Sequence, residues 1–228
     1  MFLPEIHIKT GSRAIIFFTL PEWNYAKKFI FMKKGKRFLN FEIRYNEKAL
    51  ILGPLIGAPL LSIVLEVLKS LDVKEIISIG WAGKIGSKLN LGDLFLPEKA
   101  FTLEGVSRLY YPGKKVFYPD KTILEKFEEK FKEKGVIFKK GSIVSVDAPF
   151  VFEKNRKHLD YWKNKAEALD METSALFSVG QSLQMKVMAL HFIVDEVGKF
   201  FSKRPEKEIK VKREKIFEVL KDFIEHRI

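Results

Sequence analysis

The spacing of apolar positions changes several times along the chain, and each change marks an element. The run Ala14 to Leu20 is short, rich in Ile and Phe and stopped by Pro21, which predicts a buried strand. A ladder of strands is expected at Phe29 to Met32, Phe38 to Tyr45 and Ala49 to Leu52, with turns at Lys33 to Lys36 and Asn46 to Lys48. Beyond Gly53, Pro54, Gly57 and Pro59 the spacing becomes helical, through Leu60, Ile63, Val64, Val67, Leu68 and Leu71, with Pro59 in the first turn. Glu75 to Ile79 predicts a compact strand running into Gly80, Trp81, Ala82 and Gly83. Asp93 to Pro97 predicts another after a turn at Asn90 and Gly92.

Asp120 is placed to cap a helix over Lys121 to Lys134, which Gly135 ends. Strands near Val136 to Lys139 and Ile143 to Val146 lead to a loop at Asp147 to Phe152, a Lys-rich segment and a helix from Met171 to Leu183. Lys186 to Val194 is almost continuously apolar, as in a central strand covered on both faces, and Ile209 to Ile224 is an amphipathic helix. Strands alternating with helices predict a single α/β domain over residues 1–228, with a central mixed β-sheet flanked by helices.

Composition narrows the function. With 46% hydrophobic residues among 228, the chain fills a sizeable core. The absence of Cys removes disulfides, thiolate nucleophiles and Cys-based zinc sites, and the four His show no metal-ligand spacing. Lys plus Arg is 41 against 29 Asp plus Glu, a net charge of +12, yet basic residues interleave with Glu as on solvated helix faces, so no nucleic-acid partner is expected. High Lys and Glu without Cys resembles thermophile composition. The opening residues lack the apolar core of a signal peptide, and no stretch approaches the roughly 20 apolar residues that span a bilayer, so a cytoplasmic protein with no membrane partner is expected.

Ligands of α/β sheets bind beyond the carboxyl ends of strands. Gly80 to Gly83 reads either as a plain turn or as backbone that approaches a ligand. Asp170 and Glu172 read either as acids favourably placed at a helix start or, for Glu172, as an acceptor of paired sugar hydroxyls. Asp195, followed by Glu196 at the end of the apolar strand, is poorly explained as packing and points to binding or proton transfer.

In this order the segments resemble the nucleoside phosphorylase superfamily, which includes purine nucleoside and uridine phosphorylases and methylthioadenosine nucleosidases. The similarity runs from about Ala49 to Glu196. It rests on Ile56-Gly57-Ala58-Pro59, on Gly80 to Gly83 with the later Gly92-Asp93, on Gly105, Val106, Ser107 and Tyr110, on Ser145-Val146-Asp147, on Asp170 to Ala175, and on Asp195. The resemblance implies a nucleoside phosphorylase-like fold and cleavage of a nucleoside's N-glycosidic bond, a purine being favoured, by a glycosyltransferase or nucleosidase without a cofactor. Phosphate is a possible co-substrate.

By the same resemblance Met171 and Glu172 hold the ribose, and Phe150, Phe152, Trp81, Ala82 and Gly83 surround the base. Asp195 is the general acid, with a carboxyl kept protonated by burial and by Glu196. A homo-oligomer is implied as well. Lys36 or Arg37 stands where a neighbouring subunit lends a basic residue to phosphate, or is simply solvated.

The chain departs from the family pattern at the phosphate cradle: Thr19, Leu20, Pro21 and Glu22 replace a Gly-Asp-Pro loop with its Arg, Ser78 an Arg, and Trp81 a Ser or Thr. Phosphate needs several converging charge-assisted donors, so water is an equal candidate acceptor, with Glu22 the nearest acid to position it. His191 reads as a core histidine or as a support for Asp195. The alternative to an enzyme is a family member that binds a nucleoside or base without turnover.

Overall fold

The computed structural model describes residues 8–38, 41–199, 205–226 and 228. Along them the order is β1 (Arg13–Phe17), α1 (Leu20–Phe29), β2 (Lys33–Phe38), β3 (Phe41–Tyr45), β4 (Ala49–Gly53), α2 (Ala58–Ser70), β5 (Glu75–Lys84) and β6 (Leu94–Thr102). Then come α3 (Val106–Tyr110), β7 (Val116–Phe117), α4 (Lys121–Glu133), β8 (Phe138–Ser145), α5 (Pro149–Lys154), α6 (Arg156–Lys163), β9 (Ala168–Asp170), α7 (Thr173–Ser182), β10 (Lys186–Glu196) and α8 (Glu206–Ile224).

The strands form one mixed sheet in the order β10-β6-β8-β9-β5-β1-β4-β3-β2. β5 also pairs with β10 from Glu75↔Lys186 to Lys84↔Glu196, which closes β10, β6, β8, β9 and β5 into a ring. β5 is shared between ring and open sheet because its neighbour changes: β1 pairs with it from Arg13↔Glu75 to Phe17↔Ile79, and β9 at Gly83↔Leu169 and Lys84↔Ala168.

Apolar side chains fill three clusters. The first joins the sheet to α2 and α7 through Leu61, Leu65, Leu176 and Phe177. The second lies under α1, α4 and α8 with Trp23, Phe127, Phe131, Phe217 and Phe223, and the third lies under α5 and α6 with Phe152, Leu159 and Trp162. α7 is buried from Thr173 to Gly180, which is why its sequence lacks a polar face.

The expected single α/β architecture is observed, and several local expectations are corrected. Pro21 does not end the first strand; it lies in the first turn of α1, where a missing N–H costs nothing, and Trp23 and Ala26 supply the buried face. The strand expected at Phe29 to Met32 falls on the end of that helix, and the expected turn at Lys33 to Lys36 belongs to β2. Among the described residues β2 pairs with β3 alone, and lysines on an edge strand discourage pairing with another chain, so its polar sequence does not read as a strand. The strand ending at Ile79 continues to Lys84, so Gly80 to Gly83 is strand, not turn. The pair of strands around residue 140 is the single β8, and the segment after Asp147 folds into α5 and α6. Among the described residues no helix is long and apolar enough to cross a membrane.

Candidate active site

Register brings three strand ends together. Gly83 in β5 lies beside Asp195 of β10 on one side and Leu169 of β9 on the other, with Glu172 three residues beyond Leu169. A shift in register between Ile193 and Asp195 re-aims the last residues of β10. The Asp195 side chain then lies over Gly83, where a Cβ would stand 2.6 Å from Asp195 Oδ1. This explains the glycine chemically: any side chain there moves the carboxylate. With Asp195 as the general acid that the resemblance implies, Gly83→Ala is expected to lose roughly 10- to 100-fold in kcat/KM, read by steady-state kinetics beside a thermal melt, because displacement of about 1 Å at a reacting group carries that order of loss.

Asp195 itself is exposed, not buried as expected from the sequence. Glu196 beside it pairs with Lys199 at 2.9 Å and Lys84 at 3.3 Å, and these partners hold its carboxyl below the ordinary range. The carboxyl that senses Asp195 is Glu153 of α5, pushed up mainly by burial and further by the Asp195 charge, against a hydrogen bond from the Gly198 backbone. Sequence reading missed Glu153 because the segment looked like an irregular aromatic loop.

Glu172 stands at the N-cap of α7 and faces the N-terminus of α2. Gly57, whose φ of 91° favours glycine, donates its N–H to Glu172 Oε1 at 2.7 Å, and Met171 N–H donates to Oε2 at 3.3 Å. Burial, and then the Asp170 charge, push the Glu172 carboxyl up to about 8 despite these donors. The unfolded chain releases this proton near 4.5 and the folded chain near 8, so stability falls as pH rises through that window. Glu172→Gln keeps an acceptor for Gly57 while removing the charge. Its melting temperature should therefore exceed that of the parent at pH 8 to 9 and match it near pH 5; with Glu172 in the diol-binding role that the resemblance implies, nucleoside affinity should also drop roughly tenfold or more.

A network of buried hydroxyls anchors the start of α7. Asp170 accepts from Ser145 Oγ at 2.5 Å, from Thr173 N–H at 2.8 Å and from Thr173 Oγ1 at 2.5 Å, and Ser145 Oγ accepts from Ser174 N–H at 2.9 Å. Ser174 Oγ and Thr102 Oγ1 each donate to Glu104 Oε1 at 2.9 Å. His191 is a core histidine here: its Nε2 meets Thr173 Oγ1 at 2.8 Å, and burial holds its pKa below the usual range, so it supports Thr173 rather than Asp195.

The remaining expected residues are dispersed. Phe152 is buried in the third cluster, 6.2 Å from the His158 ring, while Phe150 is exposed on α5. Ala82 is core. Trp81 donates its indole N–H to Glu22 Oε1 at 3.1 Å. Glu22 is not free to position water: fully buried, it also accepts from Arg213 Nε at 2.8 Å and Nη2 at 2.7 Å. Ser78 is buried, and among the described residues its Oγ has no partner. The Lys36 side chain lies outside the described residues; Arg37 is exposed on β2 beside a cavity of about 200 Å³ with Trp23, Lys27 and Glu42. Among the described residues no cluster of His, Asp and Glu could hold a metal ion.

The fold brings two carboxyls, Glu172 and Asp195, to the ends of adjoining strands of an α/β sheet. Residues 13–225 match the phosphorylase superfamily, and the chain belongs to it. It is an enzyme of the nucleoside phosphorylase and nucleosidase family. A DeoD-type purine nucleoside phosphorylase from Listeria welshimeri is 27% identical over 173 residues, 74% of this chain and 72% of that protein. The crystal structure of a purine nucleoside phosphorylase from Toxoplasma gondii in complex with immucillin-H has a TM-score of 0.79 at 18% identity, covering 91% of this chain and 88% of that one. An AMP nucleosidase from Bacteroides thetaiotaomicron has a TM-score of 0.76 at 19% identity, covering 93% and 91%.

Proposed function

We propose that the enzyme hydrolyses the N-glycosidic bond of a purine-type nucleoside, with water rather than phosphate as acceptor. The observation that carries this reading is the state of the departed cradle. Among the described residues Ser78 offers a buried, unpartnered hydroxyl where the family pattern has an Arg, and Nε and Nη2 of Arg213 and the indole N–H of Trp81 are engaged by Glu22. Phosphate would need such donors turned towards it. The Listeria relative supports the purine preference, and the similarity to a nucleosidase shows that the fold is not restricted to phosphorylases.

In this reading Glu172 binds the ribose diol, with Met171 beside it. Asp195 gives its proton to a ring nitrogen as the C1′–N bond breaks, the base leaves with the bonding pair, and water bonds to C1′ while returning a proton to the carboxylate. In the same reading Phe150, which is exposed on α5, covers the base, and Phe152, which is buried in the third cluster, supports that segment from the core. Release of free base and ribose from purine nucleosides at an unchanged rate with and without phosphate is the expected result. Strict dependence on phosphate with formation of ribose 1-phosphate overturns the assignment of the acceptor, and tight nucleoside binding with no base release identifies a protein that binds without turnover. The cytoplasmic location and homo-oligomeric assembly expected from the sequence form part of the same proposal.

A further inference from the structure

A cleft of about 1150 Å³ opens between the end of β6, the segment joining α3 to β7, and α6. Of its lining residues Thr102 also belongs to the buried hydroxyl network, through its bond to Glu104. Phe101 and Leu103 pack with Trp162 in the third cluster, whereas Ala100, on the other face of β6, belongs to the first cluster against α7.

Its walls carry one sign of charge. Arg108, Lys114, Lys115, Lys157 and Lys165 line it, and no lining residue is a carboxylate. Elsewhere lysines are commonly neutralised, as Lys130 is by Glu133, Lys134 by Glu218 and Lys140 by Glu98 and Glu128. Among the described residues none of the five cleft cations makes an ion pair. Lys114 Nζ donates to the Gln181 amide oxygen at 2.9 Å and sits 4.8 Å from the Phe117 ring centre, and Lys165 Nζ sits 4.1 Å from that of Tyr161. Aromatic faces thus hold the ammonium groups without cancelling their charge.

The other lining is flat and apolar. Phe101 meets Trp162 at 5.3 Å and 65°, and Tyr161 meets Trp162 at 5.4 Å and 86°, leaving Tyr161 half exposed at the rim. Such a space fits a ligand with a planar ring at one end and several negative charges at the other.

We propose that this cleft is a second binding site, for a nucleoside di- or triphosphate whose ring packs on Tyr161 and whose phosphates are held by Lys114, Lys157 and Lys165. The site does not depend on the identity of the acceptor in the cleavage reaction. The cleft is large enough for a nucleotide, and one wall of five cations with aromatic flooring selects for both charge and ring.

Calorimetric titration of the full chain with ATP tests the proposal, alongside adenosine, inorganic triphosphate and poly(A). ATP should bind, weaken with added salt, and exceed both adenosine and inorganic triphosphate by about tenfold or more. Lys157→Glu combined with Lys165→Glu should abolish ATP binding and leave cleavage of a neutral nucleoside unchanged; Tyr161→Ala should bring ATP down to the affinity of inorganic triphosphate. Because these side chains are exposed, an unchanged circular dichroism spectrum and melt are expected of each variant. ATP binding that survives the charge reversal, inorganic triphosphate binding as tightly as ATP, or binding of poly(A) but not ATP each overturns the proposal.

Discussion

Asp195→Asn will lower kcat for base release roughly 10²- to 10⁴-fold, the range that positioned general acids supply. Nucleoside binding should change little, since the proposed hold on the sugar is through Glu172. Two controls make the result specific to proton donation. A riboside whose leaving group is already a stable anion, such as a nitrophenolate, should be far less affected by the substitution. Glu153→Gln should leave kcat near neutrality almost intact and move the alkaline limb of its pH profile to lower pH. The sign follows from like-charge repulsion: the charges of Glu153 and Asp195 oppose each other's ionisation, so removing one lets the other lose its proton more easily. Equal loss on both classes of substrate would place Asp195 in binding or positioning instead.

The largest effect on stability is expected from Arg213→Ala. Glu22 has no exposed surface and the Arg213 side chain is only 11% exposed, so the substitution strands a buried carboxylate with the Trp81 indole N–H as its remaining side-chain donor. Breaking a buried pair on one side costs about 3–5 kcal/mol, which in a domain of this size lowers the melting temperature by roughly 6–20 °C. The double variant Glu22→Leu with Arg213→Met should recover most of that loss, since it removes the charge along with its partner. Thermal melts of the single and double variants decide the matter. Equal melting temperatures for Arg213→Ala and the parent would mean that solvent reaches Glu22.

What the sequence could reveal depended on whether an element is defined by its own residues or by its neighbours. The apolar run of β10, the heptad-like face of α2 and the Asp120 cap of α4 are local signals, and all three elements stand where expected. β2 is a strand because β3 pairs with it, and three-residue β9 because β8 and β5 flank it; neither has an internal pattern to read. The candidate site divides in the same way. Glu172 and Asp195 were visible as acids at element ends. The Glu153 carboxyl near Asp195, the hold of Arg213 on Glu22, and the placement of Phe152 in the core are long-range outcomes of packing, without a sequence spacing to announce them.

The Glu22–Arg213 contact joins residues 191 apart, and a hydrogen bond from Arg13 Nη1 to the Phe223 carbonyl joins residues 210 apart. Both stitch β1 and α1, which are translated early, to α8, which is translated late. A chain still on the ribosome holds Glu22 with no guanidinium to meet it, so this buried carboxylate gains its partner only after Arg213 of α8 has left the exit tunnel.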